Sequence, residues 1–253
     1  MLKLENITAG YEKVPVIQGI NIEFEKGKIA AVIGPNGSGK STMLKAIVNL
    51  CEISQGTVYL KGRRKEDMGN REFAKQVSYL SQSHTLGAIT VGRMVLHGRF
   101  PYLSYPRRYS KEDYAYCKRA MEKVGILPLQ DKKLEELSGG QRQKVYLAMA
   151  LAGETDVFLL DEPTTYLDIH YQLELLQLMK QLKEEGKTVV TVLHDLDYAM
   201  DVSDSIAVMN QGKIVKIGTP EEIQESHVID EVFQVKAQSF TDEAGRKHFY
   251  FEK

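Results

Sequence analysis

The stretch that most constrains the fold of this chain is IAAVIGPNGSGKST, residues 29–42. Its five apolar residues, Ile29 to Ile33, predict a strand covered on both faces, as in parallel α/β folds. The segment from Gly34 to Ser41 matches the pattern GxxxxGK[ST], and Thr42 to Leu50 continues it as a predicted helix. Glycines before a helix let backbone N–H groups close around phosphate oxygens. We therefore predict an α/β fold that holds a phosphate-bearing ligand.

The two polar side chains that end this segment have distinct predicted roles. Lys40 would reach the β- and γ-phosphates of a nucleotide, and the hydroxyl of Ser41 would bind Mg²⁺. The remaining predicted phosphate contacts come from Gly34, Pro35, Asn36, Gly37, Ser38, Gly39 and Thr42. The alternative is a chance glycine-rich turn, and the strand and helix in register on either side argue against it.

Two more apolar runs, Val157 to Leu160 and Thr188 to Leu193, also end in polar residues. In open parallel sheets, ligands bind at the carboxyl ends of the strands, so we expect these ends to share one site with the glycine-rich loop. Asp161 suits an Mg²⁺ ligand, Glu162 the base for an attacking water, and His194 a contact to the γ-phosphate. The alternatives are an acidic pair in a turn and an ordinary core or surface histidine.

Further helices and hairpins follow from periodicity and turn residues. A stripe of apolar residues predicts a helix from Ile169 to Glu185, which Gly186 ends, and a second helix is predicted from Tyr114 to Val124. The stretch SIAVMNQGKIVKIG predicts two strands around a Gln-Gly turn, and Val235 to Phe240 pairs with His248 to Phe251 in a last hairpin.

Three other candidates depend on weaker patterns. Gln82 closes a possible strand, VSYLSQ, and is a candidate for Mg²⁺ or the attacking water. Tyr11 ends an N-terminal strand pattern and is a candidate for stacking on adenine. In LSGGQ, Leu137 to Gln141, Ser138 is a candidate N-cap and two glycines permit close approach of a ligand. The alternatives are ordinary core or surface residues for the first two and a simple capped helix for the third.

Composition narrows the class of protein. The 253 residues include 33 Lys and Arg against 34 Asp and Glu, which argues against a general nucleic-acid binder. We expect no signal peptide in MLKLENITAGYEK and no membrane span, so membrane association would go through a partner. Cys51 and Cys117 are expected to be reduced cytosolic thiols.

Together these motifs resemble, in the same order, those of ATP-binding cassette (ABC) proteins. Gly34 to Ser41 resembles a Walker A loop, VFLLDE a Walker B strand, LSGGQ the signature, and Thr165 to Asp168 the D-loop. Gln82 matches the Q-loop and His194 the switch histidine. The resemblance implies nucleotide contacts for Tyr11, Gln82, Ser138, Gly139, Gly140, Gln141 and Asp168.

The resemblance also implies a fold, α/β with a P-loop NTPase core. This core has a mainly parallel sheet, an N-terminal antiparallel β subdomain and an inserted α-helical subdomain. Residues 1–253 would form a single nucleotide-binding domain. Its ATP-binding core would comprise residues 1–82 and 154–253 with the C-terminal hairpin, and residues 83–153 would form the helical subdomain.

For function, the resemblance implies ATP hydrolysis with Glu162 and His194 as catalytic residues and Mg²⁺ held by Ser41, Gln82 and Asp161. Two chains would dimerise head to tail, each signature closing on the ATP of its neighbour. The dimer would drive an integral membrane permease dimer, and indirectly an external substrate-binding protein, from the cytoplasmic face of the membrane. No nucleic acid is expected as a partner.

Four stretches narrow the resemblance to the importers of iron–siderophore, haem and vitamin B12. These are DEPTTYLDIHYQ, VLHDLDYAM, AMALA with Met149 where many cassettes have Arg, and the aromatic-basic HGRFPYLSYPRRYSKED. The alternatives are an ATPase of another importer and a soluble cassette ATPase that assists iron–sulfur assembly.

Overall fold

The computed structural model describes residues 1–81, 88–165, 167–243 and 247–253. These form two compact units, which we call unit 1, Met1–Asp67 with Leu176–Lys253, and unit 2, Met68–Leu175. The described part of the predicted helical subdomain, 88–153, lies within unit 2 and contains helices but no strand longer than an isolated bridge. Residues 83–87 lie outside the described residues. The domain division given by the resemblance stays a prediction.

The chain begins with a run of strands, and strands and helices then follow one another, with three consecutive α-helices among the described residues between β6 and β7. The strands are β1 (Leu2–Tyr11), β2 (Val14–Phe24), β3 (Ile29–Ile33), β4 (Glu52–Leu60), β5 (Arg63–Arg64), β6 (Val77–Leu80), β7 (Val157–Asp161), β8 (Thr188–Val192), β9 (Ser205–Asn210), β10 (Lys213–Gly218), β11 (Lys236–Thr241) and β12 (Lys247–Glu252). The α-helices are α1 (Lys40–Ile47), α2 (Asn70–Ala74), α3 (Val91–Leu96), α4 (Lys111–Lys123), α5 (Gly139–Ala152), α6 (Ile169–Glu184), α7 (Leu196–Val202), α8 (Pro220–Glu225) and α9 (Val228–Phe233).

Unit 1 contains the predicted N-terminal antiparallel sheet, in the order β2-β1-β4-β5. In β1 the buried side chains alternate at Leu2 and Leu4, and a shift of register then brings Ile7 and Ala9 to the core. Apolar side chains on one face of an antiparallel sheet pack on the core while the other face meets water. The prediction of an antiparallel N-terminal β region is confirmed.

Unit 1 also holds three parallel strands, in the order β9-β3-β8, with β10 antiparallel at the outer side of β9. All five residues of β3 and all five of β8 are buried. A strand buried on both faces reads as a continuous apolar run, which is why the sequence predicted these two strands so closely. The hairpins β9–β10 and β11–β12 also form as predicted.

Unit 2 combines a parallel strand pair, β6 and β7, with a group of helices in which α3, α4 and α5 pack on one another. Helix α4 begins at Lys111, three residues before its predicted start. Ser110 accepts a hydrogen bond from Asp113 N while the Asp113 carboxylate accepts one from Ser110 N, which is a capping box. Among the described residues, no helix is long and apolar enough to cross a membrane.

Candidate functional site

The glycine-rich loop of unit 1 runs from the end of β3 to the start of α1. A Cβ on Gly34 would lie 2.2 Å from the carbonyl oxygen of Met209, and one on Gly39 would lie 2.5 Å from Ile17 Cγ2. Gly39 also has a φ of +100°, which side-chain-bearing residues rarely adopt. The loop therefore needs glycine at both positions, because its backbone packs directly on neighbouring strands.

Two polar side chains of the loop complete an anion cradle. Lys40 is buried, and its Nζ donates hydrogen bonds to the carbonyl oxygens of Gly34, at 2.8 Å, and Pro35, at 3.0 Å. The ammonium group thus lies across the loop at the start of α1, where the helix dipole adds positive potential. Ser38 Oγ is buried with no hydrogen-bond partner among the described residues, and a phosphate oxygen is a ligand that would satisfy it. These residues fit a phosphate group.

His194 lies at the same edge of unit 1 as the glycine-rich loop. The parallel register pairs Val32 with Val192, so the chain leaves both strands at the same level two residues before Gly34 and His194. The imidazole is exposed. Asp197 follows His194 by three residues, and its pKa is raised by burial and by the neighbouring charge of Asp195. The predicted contact of His194 with the γ-phosphate stays a prediction.

Tyr11 ends β1 and is 42% exposed. Its ring centroid lies 6.0 Å from the Nζ of Lys45, which is in the last turn of α1. The ring is therefore near the helix that follows the glycine-rich loop and accessible to a planar ligand. Its role in stacking on adenine stays a prediction.

The two acids of unit 2 follow the buried strand β7. Asp161 is 1% exposed and accepts a hydrogen bond from Tyr79 Oη at 3.0 Å, which orients the carboxylate. Glu162 has a φ of +52°, so the chain turns sharply at this carboxylate, and Thr165 N donates to its carbonyl oxygen at 3.2 Å. A left-handed backbone at a residue other than glycine is uncommon and clusters at functional sites. Carboxylate oxygens of this kind suit Mg²⁺.

Gln82 follows β6 by two positions and lies outside the described residues, as does Tyr166 of the predicted D-loop. The parallel register pairs Leu80 with Leu160, so β6 and β7 end at the same edge of unit 2. Asp161 lies at this edge, and the segment that contains Gln82 follows β6 there. The predicted role of Gln82 stays a prediction.

The LSGGQ segment of unit 2 starts α5 with a capping box. Ser138 Oγ accepts a hydrogen bond from Gln141 N at 3.3 Å, and Gln141 Oε1 accepts one from Ser138 N at 3.1 Å. Ser138 and Gly139 are exposed. The simple capped helix that the sequence allowed is therefore present, and its exposed start remains accessible to a ligand on a second molecule.

Sequence reasoning missed a residue that packs on this helix start. A Cβ on Gly140 would lie 3.0 Å from the ring of Tyr171, which belongs to α6. Lys144 Nζ lies 4.3 Å from the centroid of the same ring and 2.6 Å from a carboxylate oxygen of Glu174. Asp168 Oδ1 caps α6 by accepting from Tyr171 N at 3.0 Å. Nothing in the spacing of the sequence reveals that these two helix starts are neighbours.

Unit 1 thus has the parts of a P-loop ATPase: a buried strand, a glycine-rich loop with an inward lysine, and a helix that follows. In such proteins these parts bind the phosphates of a nucleoside triphosphate. The family model described as ABC transporter matches residues 17–165. The iron(3+)-hydroxamate import ATP-binding protein FhuC of Bacillus subtilis is 41% identical over 95% of this chain and 90% of its own length.

Solved structures agree with this match. One of a proposed metal-chelate type ABC transporter in an inward-facing conformation superimposes with a TM-score of 0.84 at 26% identity, over 99% of this chain and 95% of that one. The dimeric ATP-binding cassette MJ0796 bound to ADP and phosphate gives a TM-score of 0.76 at 29% identity, over 87% of this chain and 99% of that one. The chain belongs to the ABC transporter family, as an ATP-binding and ATP-hydrolysing cassette.

Proposed function

We propose that this chain is the ATPase subunit of an importer that carries an iron chelate, a siderophore in the first instance, with haem and cobalamin as related cargoes. The observation that carries the proposal is the similarity along 95% of the chain to an iron(3+)-hydroxamate import ATP-binding protein. The cradle formed by Lys40 and the loop glycines supports the ATPase part of it. The aromatic-basic stretch HGRFPYLSYPRRYSKED and the stretch DEPTTYLDIHYQ support the assignment to the importers of iron–siderophore, haem and vitamin B12.

In the proposed site, the loop from Gly34 to Thr42 binds the phosphates of ATP, with Lys40 at the β- and γ-phosphates. Ser41, Gln82 and Asp161 are the proposed Mg²⁺ ligands, and their hard oxygen atoms match this ion. Bound Mg²⁺ would neutralise charge on the phosphate oxygens. Tyr79 supports the assignment of Asp161, because its hydroxyl group orients that carboxylate.

Glu162 is the proposed general base. Its carboxylate takes a proton from water as the water oxygen attacks the γ-phosphorus, and the bond to the β-phosphate oxygen breaks to give ADP and phosphate. His194 contacts the γ-phosphate, and Tyr11 stacks on adenine. The exposed edge position of His194 beside the strand that feeds the loop supports its assignment.

The proposed active form is a head-to-tail homodimer. Ser138, Gly139, Gly140 and Gln141 of each chain would contact the ATP held by its partner, with Asp168 near the same contact. The exposure of Ser138 and Gly139 at a helix N-terminus supports this assignment. The dimer would bind a permease dimer at the cytoplasmic face of the membrane, and the permease would receive cargo from an external binding protein.

The first test replaces the base. Glu162→Gln should lower ATP turnover by about 10²- to 10⁴-fold, the usual contribution of a general base, while calorimetry records unchanged ATP binding. Glu184→Gln makes the same chemical change at an exposed residue at the end of α6 and should leave turnover unchanged. Near-normal turnover in Glu162→Gln would refute the assignment of the base.

The second test concerns the dimer. Ser138→Arg places a long cation at the exposed helix start, and in the Glu162→Gln background it should prevent ATP-driven dimerisation while each monomer still binds ATP. Light scattering with and without ATP measures this. ATP-driven dimers in the Ser138→Arg variant would contradict the proposed contact with the partner's nucleotide.

The third test separates the importer from the soluble alternative. A tagged chain should copurify with an integral membrane protein in mild detergent, and ferric siderophores loaded on the external binding protein should stimulate ATP turnover of that complex in a membrane. Consistent absence of a membrane partner would favour a soluble cassette ATPase, and stimulation by a cargo other than iron chelates, haem or cobalamin would reassign the importer.

A further inference from the structure

The two glycines that begin α5 differ in what lies beside them. Both belong to the helix and neither has a positive φ, so backbone freedom does not require glycine at either position. Glycine is less favourable than alanine in a helix, so another reason for it is expected. A Cβ on Gly139 would meet no other element of the described structure within 4 Å, whereas one on Gly140 would lie 3.0 Å from Cδ2 of the Tyr171 ring. The space that a side chain of Gly140 would take is therefore filled by Tyr171 of the same chain.

Two charged side chains hold this ring against α5. Gly140 and Lys144 are four residues apart on α5, so they lie on one face of that helix. Tyr171 and Glu174 are three residues apart on α6 and share a face in the same way. Lys144 Nζ lies 4.3 Å from the centroid of the Tyr171 ring and 2.6 Å from Glu174 Oε2. One ammonium group thus joins the ring and the carboxylate of α6 to α5, and we call Lys144, Tyr171 and Glu174 the signature clamp.

The two helices that the signature clamp joins are both fixed to the chain that follows β7. Gln143 Nε2 on α5 donates a hydrogen bond to the carbonyl oxygen of Pro163 at 3.3 Å. Gln172 Nε2 on α6 donates one to the carbonyl oxygen of Thr164 at 3.4 Å. Pro163 and Thr164 directly follow Glu162, the proposed base. The start of α6 therefore has a fixed place from which its ring can support α5.

The hydrogen bonds at the start of α5 leave two N–H groups for a ligand. Gln141 N donates to Ser138 Oγ, and Arg142 N donates to the carbonyl oxygen of Ser138. The N–H groups of Gly139 and Gly140 have no acceptor within the helix, because they belong to its first turn. In the proposed dimer they face the ATP of the partner. A hydrogen bond weakens steeply with misalignment, so these N–H groups depend on where the helix start is held.

We propose that Tyr171 is a positioning residue of the composite ATP site: its ring supports Gly140 and so aims the N–H groups of the α5 start at the ATP bound by the partner. The inference rests on the proposed function, which supplies the head-to-tail dimer. It gives the two glycines different roles. Gly139 leaves room for the partner's nucleotide, and Gly140 leaves room for the ring of its own chain. Since Tyr171 does not touch the nucleotide, its removal affects the dimer and spares ATP binding by the monomer.

The test removes the ring and follows dimerisation of the full-length chain. In the Glu162→Gln background, Tyr171→Ala should raise the ATP concentration for half-maximal dimerisation by about 10- to 100-fold, the range for loss of a positioning contact. Light scattering measures this, and calorimetry on the dilute chain should record unchanged ATP affinity. Tyr171→Phe keeps the ring on Gly140 and should dimerise like the background. With Glu162 intact, ATP turnover should fall in Tyr171→Ala and be restored in Tyr171→Phe.

A matched control separates positioning from general loss of stability. Tyr59 in unit 1 is half-buried like Tyr171, and Lys3 Nζ lies 5.8 Å from the centroid of its ring. Tyr59→Ala should lower the melting temperature and leave ATP-driven dimerisation unchanged. Lys144→Met removes the cation from the Tyr171 ring and should weaken dimerisation about two- to fivefold, the usual contribution of such a contact. This variant decides the question if Tyr171→Ala does not fold.

Thermal stability tests the contact itself. Gly139→Ala should not lower the melting temperature, because alanine favours a helix and its Cβ meets no other element of the described structure. Gly140→Ala should lower the melting temperature when Tyr171 is present. In the Tyr171→Ala background the same change should raise it, because the ring is gone. A lower melting temperature in both backgrounds would show that the ring is not what Gly140 accommodates, and the proposal would fail.

Three results on dimerisation would also overturn the proposal. These are half-maximal dimerisation of Tyr171→Ala at the ATP concentration of the background, a loss in Tyr171→Phe as large as in Tyr171→Ala, and an equal loss in Tyr59→Ala. If Tyr171→Ala does not fold, unchanged dimerisation of Lys144→Met has the same consequence. Failure of the Glu162→Gln chain itself to dimerise on ATP would instead refute the proposed dimer.

Discussion

The buried ion pair between Arg99 and Asp113 offers a sharp test of how unit 2 is held together. Each residue is 6% exposed, and the Arg99 guanidinium also caps the carboxyl end of α5 through the carbonyl oxygen of Ala152. Arg99→Met keeps much of the side-chain volume between the rings of Tyr102 and Tyr116 but removes the charge and its donors. It leaves the Asp113 carboxylate buried without its cation.

The expected cost follows from that unpaired charge. Removing one partner of a buried ion pair typically lowers the free energy of unfolding by about 3–5 kcal/mol. For a chain of this size, about 1 kcal/mol corresponds to about 2–4 °C, so the melting temperature of Arg99→Met should fall by roughly 6–20 °C. Asp113 keeps its bonds from Ser110, which places the expected value toward the lower end.

A double-mutant cycle isolates the pair from the packing. Arg99→Met, Asp113→Asn and the double variant are compared by urea denaturation followed by circular dichroism. The double variant should be more stable than the sum of the single changes by about 0.5–3 kcal/mol, because it removes the uncompensated charge. Strict additivity would refute the reasoning.

Acid denaturation gives a second readout of the same pair. Burial alone would raise the pKa of Asp113, but hydrogen bonds from Ser110 and Arg99 outweigh it and hold the pKa below the ordinary value. The stabilisation is therefore complete above the unfolded-state pKa of about 3.9 and is lost as the pH falls through the lower folded-state pKa. In Asp113→Asn, the free energy of unfolding should therefore lack this part of its decrease at acid pH.

Two further predictions concern unit 1. Gly34→Ala should abolish ATP binding in calorimetry, because its Cβ would lie 2.2 Å from a backbone carbonyl oxygen, whereas Gly37→Ala meets no atom within 4 Å and costs only about 1–2 kcal/mol for its positive φ. Equal ATP affinities would contradict this. Burial lowers the pKa of Lys65 to about 8, so the unfolded chain binds more protons between that value and about 10.5. The free energy of unfolding should therefore rise with pH in this window, and Lys65→Met should remove the slope, as a series of urea titrations would measure.

Much of the fold could be predicted because the signals are local. The apolar runs of β3, β7 and β8 gave their bounds to within a residue, and the glycine-rich loop fell between strand and helix as expected. Helix α4 was predicted three residues short, since the reciprocal bonds of Ser110 and Asp113 extend a helix beyond its apolar stripe. The capped helix start at LSGGQ could be predicted for the same reason, because a capping box joins residues that are three apart in the sequence.

The long-range contacts could not be predicted. The hydroxyl group of Tyr79 orients Asp161, which is 82 residues away, and the ring of Tyr171 lies on the signature glycine Gly140. Arg99 is similar, because no local pattern marks it as buried, yet the structure packs it among two tyrosine rings and the Asp113 carboxylate. Each contact joins distant elements, and spacing along the chain carries no signal for it.

Local sequence patterns are enough to predict where the chemistry of this protein lies: in a phosphate loop, in two acids after a buried strand, and at a capped glycine-rich helix start. These follow from the backbone freedom of glycine, the charge of lysine and carboxylates, and the hydrogen bonds of neighbouring residues. Which side chains orient these groups, and which of the many basic and aromatic residues are buried, became known from the folded structure. Burial and orientation depend on packing between elements, and that packing exists only once the chain has folded.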